Sequence, residues 1–201
     1  MVAPHIADEV RHPLVDTAPV TLEVFDRPAA GAAPRFETVH TSPSSELTIE
    51  LDAAAEWLGV QIEEILLAAL GRTFGRTRGD GAVAVDVTGG RRWLCHPVSL
   101  LCAASLPMGP TELLQGAHTA LASAPGHDSP QSEVLLSLTR TANGASGKGC
   151  ALEVHVHRVD GIVALDWRFD ASRLDAYSVE EMAEQFPLAL IEITSDAAAP
   201  L

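Results

Sequence analysis

The sequence predicts an α/β (α+β) two-layer sandwich, a mixed sheet with helices mainly on one face, and three observations lead there. Short runs with strand alternation are interleaved with stretches of helical period. Residues 150–169 alternate on both sides of Asp160-Gly161, the signature of a hairpin with a two-residue type-I′ turn. An apolar fraction of 47% over 201 residues supplies a core for one domain.

Residues 1–45 contain Pro4, Pro13, Pro19, Pro28, Pro34 and Pro43. Proline fixes φ and removes a backbone donor, so this stretch is expected to be an extended arm with at most one strand, best placed at Val20–Phe25. Leu47-Thr48-Ile49-Glu50-Leu51 alternates as a half-buried strand, and Asp52 is positioned to cap a short helix through Trp57. Ile62, Ile65, Leu66, Ala69, Leu70 and Thr73 then share one helical face. Arg72, Gly75, Arg76 and Gly79 suit the C-terminus of that helix. Residues 82–88 form a strand that stops at Gly89-Gly90. Thr111 can cap a helix through Ala124, with Leu113, Leu114, Ala117 and Leu121 inward. Residues 133–139 make a strand and 141–149 a loop rich in Gly and Ser.

The hairpin has a definite register. Val159 faces Ile162, His157 faces Ala164, His155 faces Asp166 and Glu153 faces Arg168; the other face pairs Val156 with Leu165, Val154 with Trp167 and Leu152 with Phe169. Ser178-Val179-Glu180-Glu181 reads as a capping box for a helix that buries Met182, Phe186, Leu190 and Ile193, with a kink expected at Pro187. The domain expectation is an arm over 1–45, a lobe over 46–194 and a flexible tail over 195–201.

Several of these segments also carry a likeness. They are EEILLAALGRTFGR followed by AVAVDVTGGRR, then HPVSLLCAASLP, EVLLSLT, ALEVHVHRVDGIVALDWRF and SVEEMAEQF. Their order and spacing over 46–194 resemble the C-terminal lobe of condensation and epimerization domains of non-ribosomal peptide synthetases, in the chloramphenicol-acetyltransferase-like superfamily. The resemblance implies a half-domain of a two-lobed enzyme whose activity depends on an HHxxxDG motif in the other lobe. That motif is absent from this sequence, and Trp93 directly after Arg92 shortens one connecting segment.

Charge narrows the partners. Thirteen basic residues against 27 acidic ones give a formal net charge of −14, which argues against nucleic acid and against an anionic membrane surface. The apolar run from Pro97 to Pro107 is too short to cross a bilayer. Cys95, Cys102 and Cys150 lie in apolar runs without CxxC spacing and read as reduced core residues. With no secretion signal visible, the expected location is cytoplasmic.

His12-Pro13-Leu14-Val15-Asp16 spells HxxxD, in which His12 would be a general base and Asp16 structural. Arg11 and Thr17 stand where the full motif needs His and Gly, so no catalytic residue is assigned beyond these two candidates. His155 and His157 share a strand face and are the candidates for zinc; without a third ligand they read as polar sheet surface. Gly144–Gly149 lacks the spacing of a phosphate loop, and His96 beside Pro97 reads as structural. No cofactor is expected. Arg72, Arg76, Arg78, Arg91 and Arg92 could dock an acidic carrier protein, but the intervening strand, roughly 20 Å long, separates them into two groups.

The functional expectation is a non-catalytic condensation-like accessory or interaction protein of non-ribosomal peptide or polyketide-type biosynthesis. The alternatives are a subunit of a split acyltransferase whose histidine lobe lies on another chain, and a degenerate structural remnant. Whether it is an enzyme stays open, leaning to no because HHxxxDG is missing. A lone lobe should expose surface that a protein partner covers, whether a carrier protein, a synthetase or a second copy in a homodimer.

Overall fold

The computed structural model describes residues 20–29, 31, 33–89, 97–105, 108–123, 132–139 and 149–201. Their elements in chain order are β1 (Phe36–Thr41), α1 (Ser45–Leu58), α2 (Ile62–Arg78), β2 (Gly81–Gly89), β3 (Val98–Cys102), α3 (Pro110–Ala122), β4 (Val134–Leu138), β5 (Leu152–Val159), β6 (Ile162–Asp170) and α4 (Ala176–Asp196). The strands form one mixed sheet in the order β1-β6-β5-β4-β2-β3. β2, β4 and β5 run parallel, and the remaining pairings are antiparallel.

Alternation decides which side of the sheet is dry. Val83, Val85, Val87, Val98, Leu100, Val134, Leu136, Leu152, Val154, Leu165, Trp167 and Phe169 share one face by register and are buried. The helices cover this face. Trp167 meets Phe186 of α4 edge-on, with ring centroids 5.7 Å apart. α2 sits centrally, against α1, α3, α4 and β3, which explains why its middle is buried all round. Its approach to β3 is backbone-close. A Cβ added at Gly71 would lie 2.4 Å from the Leu101 carbonyl oxygen, and one at Gly75 only 2.1 Å from the Ala103 carbonyl carbon.

The hairpin forms in the expected register, residue for residue. Asp160 has φ 51 and Gly161 φ 85, the left-handed pair that a type-I′ turn requires. Strands β2 and β4 also lie where the pattern placed them, β3 (Val98–Cys102) is a strand the alternation did not announce, and α4 runs on through Pro187.

Elsewhere the structure differs, for physical reasons. The segment Leu47–Leu51, expected as a strand, is the first half of α1. Leu47, Leu51, Ala54 and Leu58 recur at helical spacing, and the Ser44 side chain accepts a hydrogen bond from the Leu47 N–H at 3.2 Å. The strand of the N-terminal segment is Phe36–Thr41, paired with β6. Val20–Phe25 contributes one bridge, Thr21 to Ala82, alongside the start of β2, which extends beyond β4 on that side. Gly75 is a packing glycine inside α2, and Gly79, at φ 99, follows the helix end. Gly109 caps α3 in place of Thr111 and is followed by Pro110, a favoured first helical residue. Helix α4 starts at Ala176, ahead of the Ser178 box. Its N-terminus is held by a distant residue: the Asp26 carboxylate accepts from the Asp175 N–H at 2.8 Å and the Ser178 hydroxyl at 3.1 Å. Of residues 195–201, expected as a flexible tail, the first two end α4, Ala197 is buried, and the Leu201 N–H donates to Gln115 Oε1 at 2.7 Å.

Candidate functional site

The face of the sheet opposite the helices gathers the polar residues that alternation turns away from the core. β5 presents Glu153, His155 and His157, β6 presents Asp166 and Arg168, and β1 adds Phe36, Thr38 and His40. Two carboxylates organise it. Glu153 is fully buried and bridges Arg168 Nη1 at 2.8 Å and His155 Nε2 at 2.9 Å. Asp166 holds His40 Nδ1 at 2.6 Å and lies 3.8 Å from His157 Nδ1. The Arg168 guanidinium also stacks over Phe36, 3.5 Å from the ring centroid.

His155 and His157 therefore do not lie on a solvent-facing surface: both are buried. His155 stands opposite Asp166 in register, yet its imidazole turns to Glu153 on its own strand. Among the described residues no group of three or more His, Cys, Asp or Glu is placed to hold a metal ion. His157 lines a cleft of about 260 Å³ between Leu51, Ile62, Leu138 and Val163. Arg158 beside it is bound by Asp52 at 2.5 and 3.0 Å.

The sequence pattern does not single out His40, because the prolines around β1 mask its strand character. Its Nδ1 is fixed by Asp166 while the ring remains largely exposed.

The described members of the arginine group, Arg72, Arg76 and Arg78, are each engaged by a carboxylate within the lobe. Arg72 is 1% exposed inside α2 and donates to the carbonyls of Ala103 and Met108 at 2.8 and 3.0 Å. It shares Glu192 with Arg76, and Arg78 pairs with Asp26 at 2.7 Å. His12, Asp16, Arg91, Arg92, Cys95, His96 and the 144–148 stretch lie outside the described residues.

Among the described residues two larger clefts stand out. One, of about 560 Å³, lies between Leu22–Phe25 and the starts of β2 and β4, with the Arg173–Glu133 ion pair in its wall. The other, of about 590 Å³, runs between α3 and β3 and is mostly apolar. Burial pushes the Cys102 thiol up to about 12, with help from the Asp80 charge. It raises the Cys150 thiol to about 11, aided by Asp86, Glu153 and Glu133. Neither cysteine is a nucleophile at neutral pH.

No protein-family profile matches the chain. Among curated proteins it is 28% identical to a component of the phenolphthiocerol/phthiocerol polyketide synthase of Mycobacterium tuberculosis, over 85% of this chain and 16% of that protein. The epimerization domain from the third module of tyrocidine synthetase B superposes with a TM-score of 0.62 at 12% identity, over 90% of this chain and 52% of that one. The chain has the fold of one condensation/epimerization-domain lobe. A second solved structure, of condensation domain-mediated chain release from the enacyloxin polyketide synthase, agrees at TM-score 0.56 and 16% identity, over 84% of this chain and 44% of that one. The chain thus spans about half of each solved relative and about a sixth of the curated one. The expected mixed-sheet sandwich is the observed architecture, and the likeness in sequence to this fold holds. Among the described residues no helix is long and apolar enough to cross a membrane.

Proposed function

We propose that the chain is a non-catalytic, condensation-like accessory module that acts by protein contact in polyketide or non-ribosomal peptide assembly, in the cytoplasm. The link to such assembly is supported by the similarity to a polyketide synthase component and by the condensation-type fold. The observation that carries the non-catalytic reading is the fate of the histidines. Of the four that are described, His155 on Glu153 and His157 facing Asp166 at longer range are buried, and His118 is tied to Glu64, which leaves His40, on Asp166, as the one largely exposed imidazole. Buried His155 supplies a hydrogen-bond partner to the fully buried Glu153 carboxylate, a polar group that is costly to leave unpaired there.

His40 favours a second reading, the split enzyme. An Asp-oriented, largely exposed imidazole is what a general base needs, if another chain brought an acyl substrate to this face.

One assay separates the two. Carrier-protein acyl thioesters are offered with an amine or alcohol acceptor, with and without a polyketide synthase condensation-type partner. Unchanged background turnover when the chain is added supports the accessory reading. Turnover that appears with the chain and vanishes in His40→Ala or His12→Ala overturns it.

A further inference from the structure

We propose that the outer face of α1 and α4 is a docking surface for a basic amphipathic helix of a partner protein. On α1, Ile49 and Trp57 stand two turns apart and are 68% and 72% exposed. On α4, Leu188 and Ile191 are spaced i, i+3 and are 53% and 44% exposed. The helices pack against each other, and a cleft of about 270 Å³ runs between them, with Trp57 and Ala53 on one wall and Thr194 and Ser195 on the other. Scattered exposed apolar residues are ordinary. Trp57 differs because it lines the cleft itself, beside Glu50, while Ile49, Leu188 and Ile191 lie exposed on the same two helices.

Charge names the occupant. α1 carries four acidic residues and α4 five, and neither helix carries a single Lys, Arg or His. Asp52 and Glu192 are engaged by Arg158, Arg72 and Arg76, whereas the others make no ion pair among the described residues. Glu46 and Glu50 are spaced i, i+4, as are Glu180 and Glu184, and such like-charge pairs destabilise a helix. A cleft with Trp57, Ala53 and Ala54 in its wall and the Glu50 carboxylate beside them, on two helices without a basic residue, is complementary to a helix with an apolar stripe and Lys or Arg on its flanks, the helix-in-groove mode of recognition. A second copy of this chain would set like charge on like charge, and anionic lipid or nucleic acid would be repelled for the same reason. From Ile49 to Trp57 the ridge rises roughly 12 Å, enough to seat two turns of a partner helix.

This deepens the interaction reading, on which it rests for its biological meaning, yet the two fail separately: acyl-transfer turnover removes that reading, and failure to bind a basic helix removes this surface. The probe is a peptide of about 18 residues, five helical turns, made of Leu, Ala and Arg with one apolar stripe. Binding is read from the emission of exposed Trp57. The expected result is saturable, salt-sensitive binding that weakens about tenfold or more in Trp57→Ala and in Glu56→Arg/Glu184→Arg, the former read by calorimetry. The same charge change on exposed Glu112 of α3 should leave affinity within about twofold. Equal binding by a scrambled peptide, equal weakening by Glu112→Arg, or absence of binding would each overturn the proposal. All substituted positions are solvent-facing, so folding, checked by circular dichroism, is preserved.

Discussion

Arg72 is the residue on which sequence and structure part most instructively. Its position near Gly75 suggests a charge at a helix C-terminus, where its exposure would be high and its energetic weight small. It is instead a buried cation whose charge is met by two carbonyls and Glu192. None of those partners is near in sequence, so no local pattern announces them. Arg76 shares Glu192 but lies nearer the surface, with 29% of its side chain exposed. The pair gives a direct comparison. Arg72→Ala should cost about 3–5 kcal/mol, since it opens a void inside the lobe and leaves the buried Ala103 carbonyl without its donor. Arg76→Ala should cost below about 1 kcal/mol, as exposed ion pairs do. Urea unfolding of the two variants beside the parent chain measures both, and equal midpoints would refute the distinction. The histidines divide along the same line. Alternation alone places His155 and His157 on one strand face, but which carboxylate each meets depends on rotamer and on β1.

At the scale of elements, legibility follows the range of the interactions that decide each one. The 150–169 hairpin is readable to the register because its pairing is set by a two-residue turn between adjacent strands. α1 is ambiguous in sequence because Leu47-Thr48-Ile49-Glu50-Leu51 fits both periods over five residues, and only the extension to Ala54 and Leu58 decides for the helix. β1 is hidden by the prolines around it, and its partner β6 lies more than a hundred residues away. α2 shows a further limit: Gly75 reads as a helix terminator until β3 is seen against it. The geometry makes a sharp prediction. A methyl at Gly75 would sit 2.1–2.6 Å from three backbone atoms of Ala103, and backbone cannot swing aside as a side chain does. Gly75→Ala raises intrinsic helix propensity by about 1 kcal/mol. It should nonetheless destabilise the chain by about 1–3 kcal/mol through overpacking. A thermal midpoint that rises would show that α2 and β3 do not approach so closely.

For the molecule as a whole, the N-terminal segment is joined to the lobe by two aspartates, and both respond to acid. Asp26 links residues 20–29 to the start of α4 and the end of α2. Burial alone would raise its pKa, but hydrogen bonds from the Asp175 N–H, Arg78 and Ser178, with the Arg78 charge, hold it below the ordinary carboxylate value. Asp170 does the same at the edge of the sheet. Burial is again outweighed, here by the Ser172 N–H and hydroxyl, the Arg35 N–H and the Arg173 charge. A carboxyl whose pKa is depressed in the folded state contributes its full stability above the unfolded value, about 3.9, and loses it as pH falls through the folded value. The N-terminal clamp should therefore be intact at neutral pH and release only below about pH 4. Asp26→Asn and Asp170→Asn should each be less stable than the parent at pH 6, with the difference closing as pH falls below about 4. Hydrogen exchange of the Leu22 amide, which donates to the Ala82 carbonyl at 2.8 Å, reports the clamp directly. A stability gap that stays constant from pH 6 into that acid range would mean that neither carboxylate holds the segment by its charge.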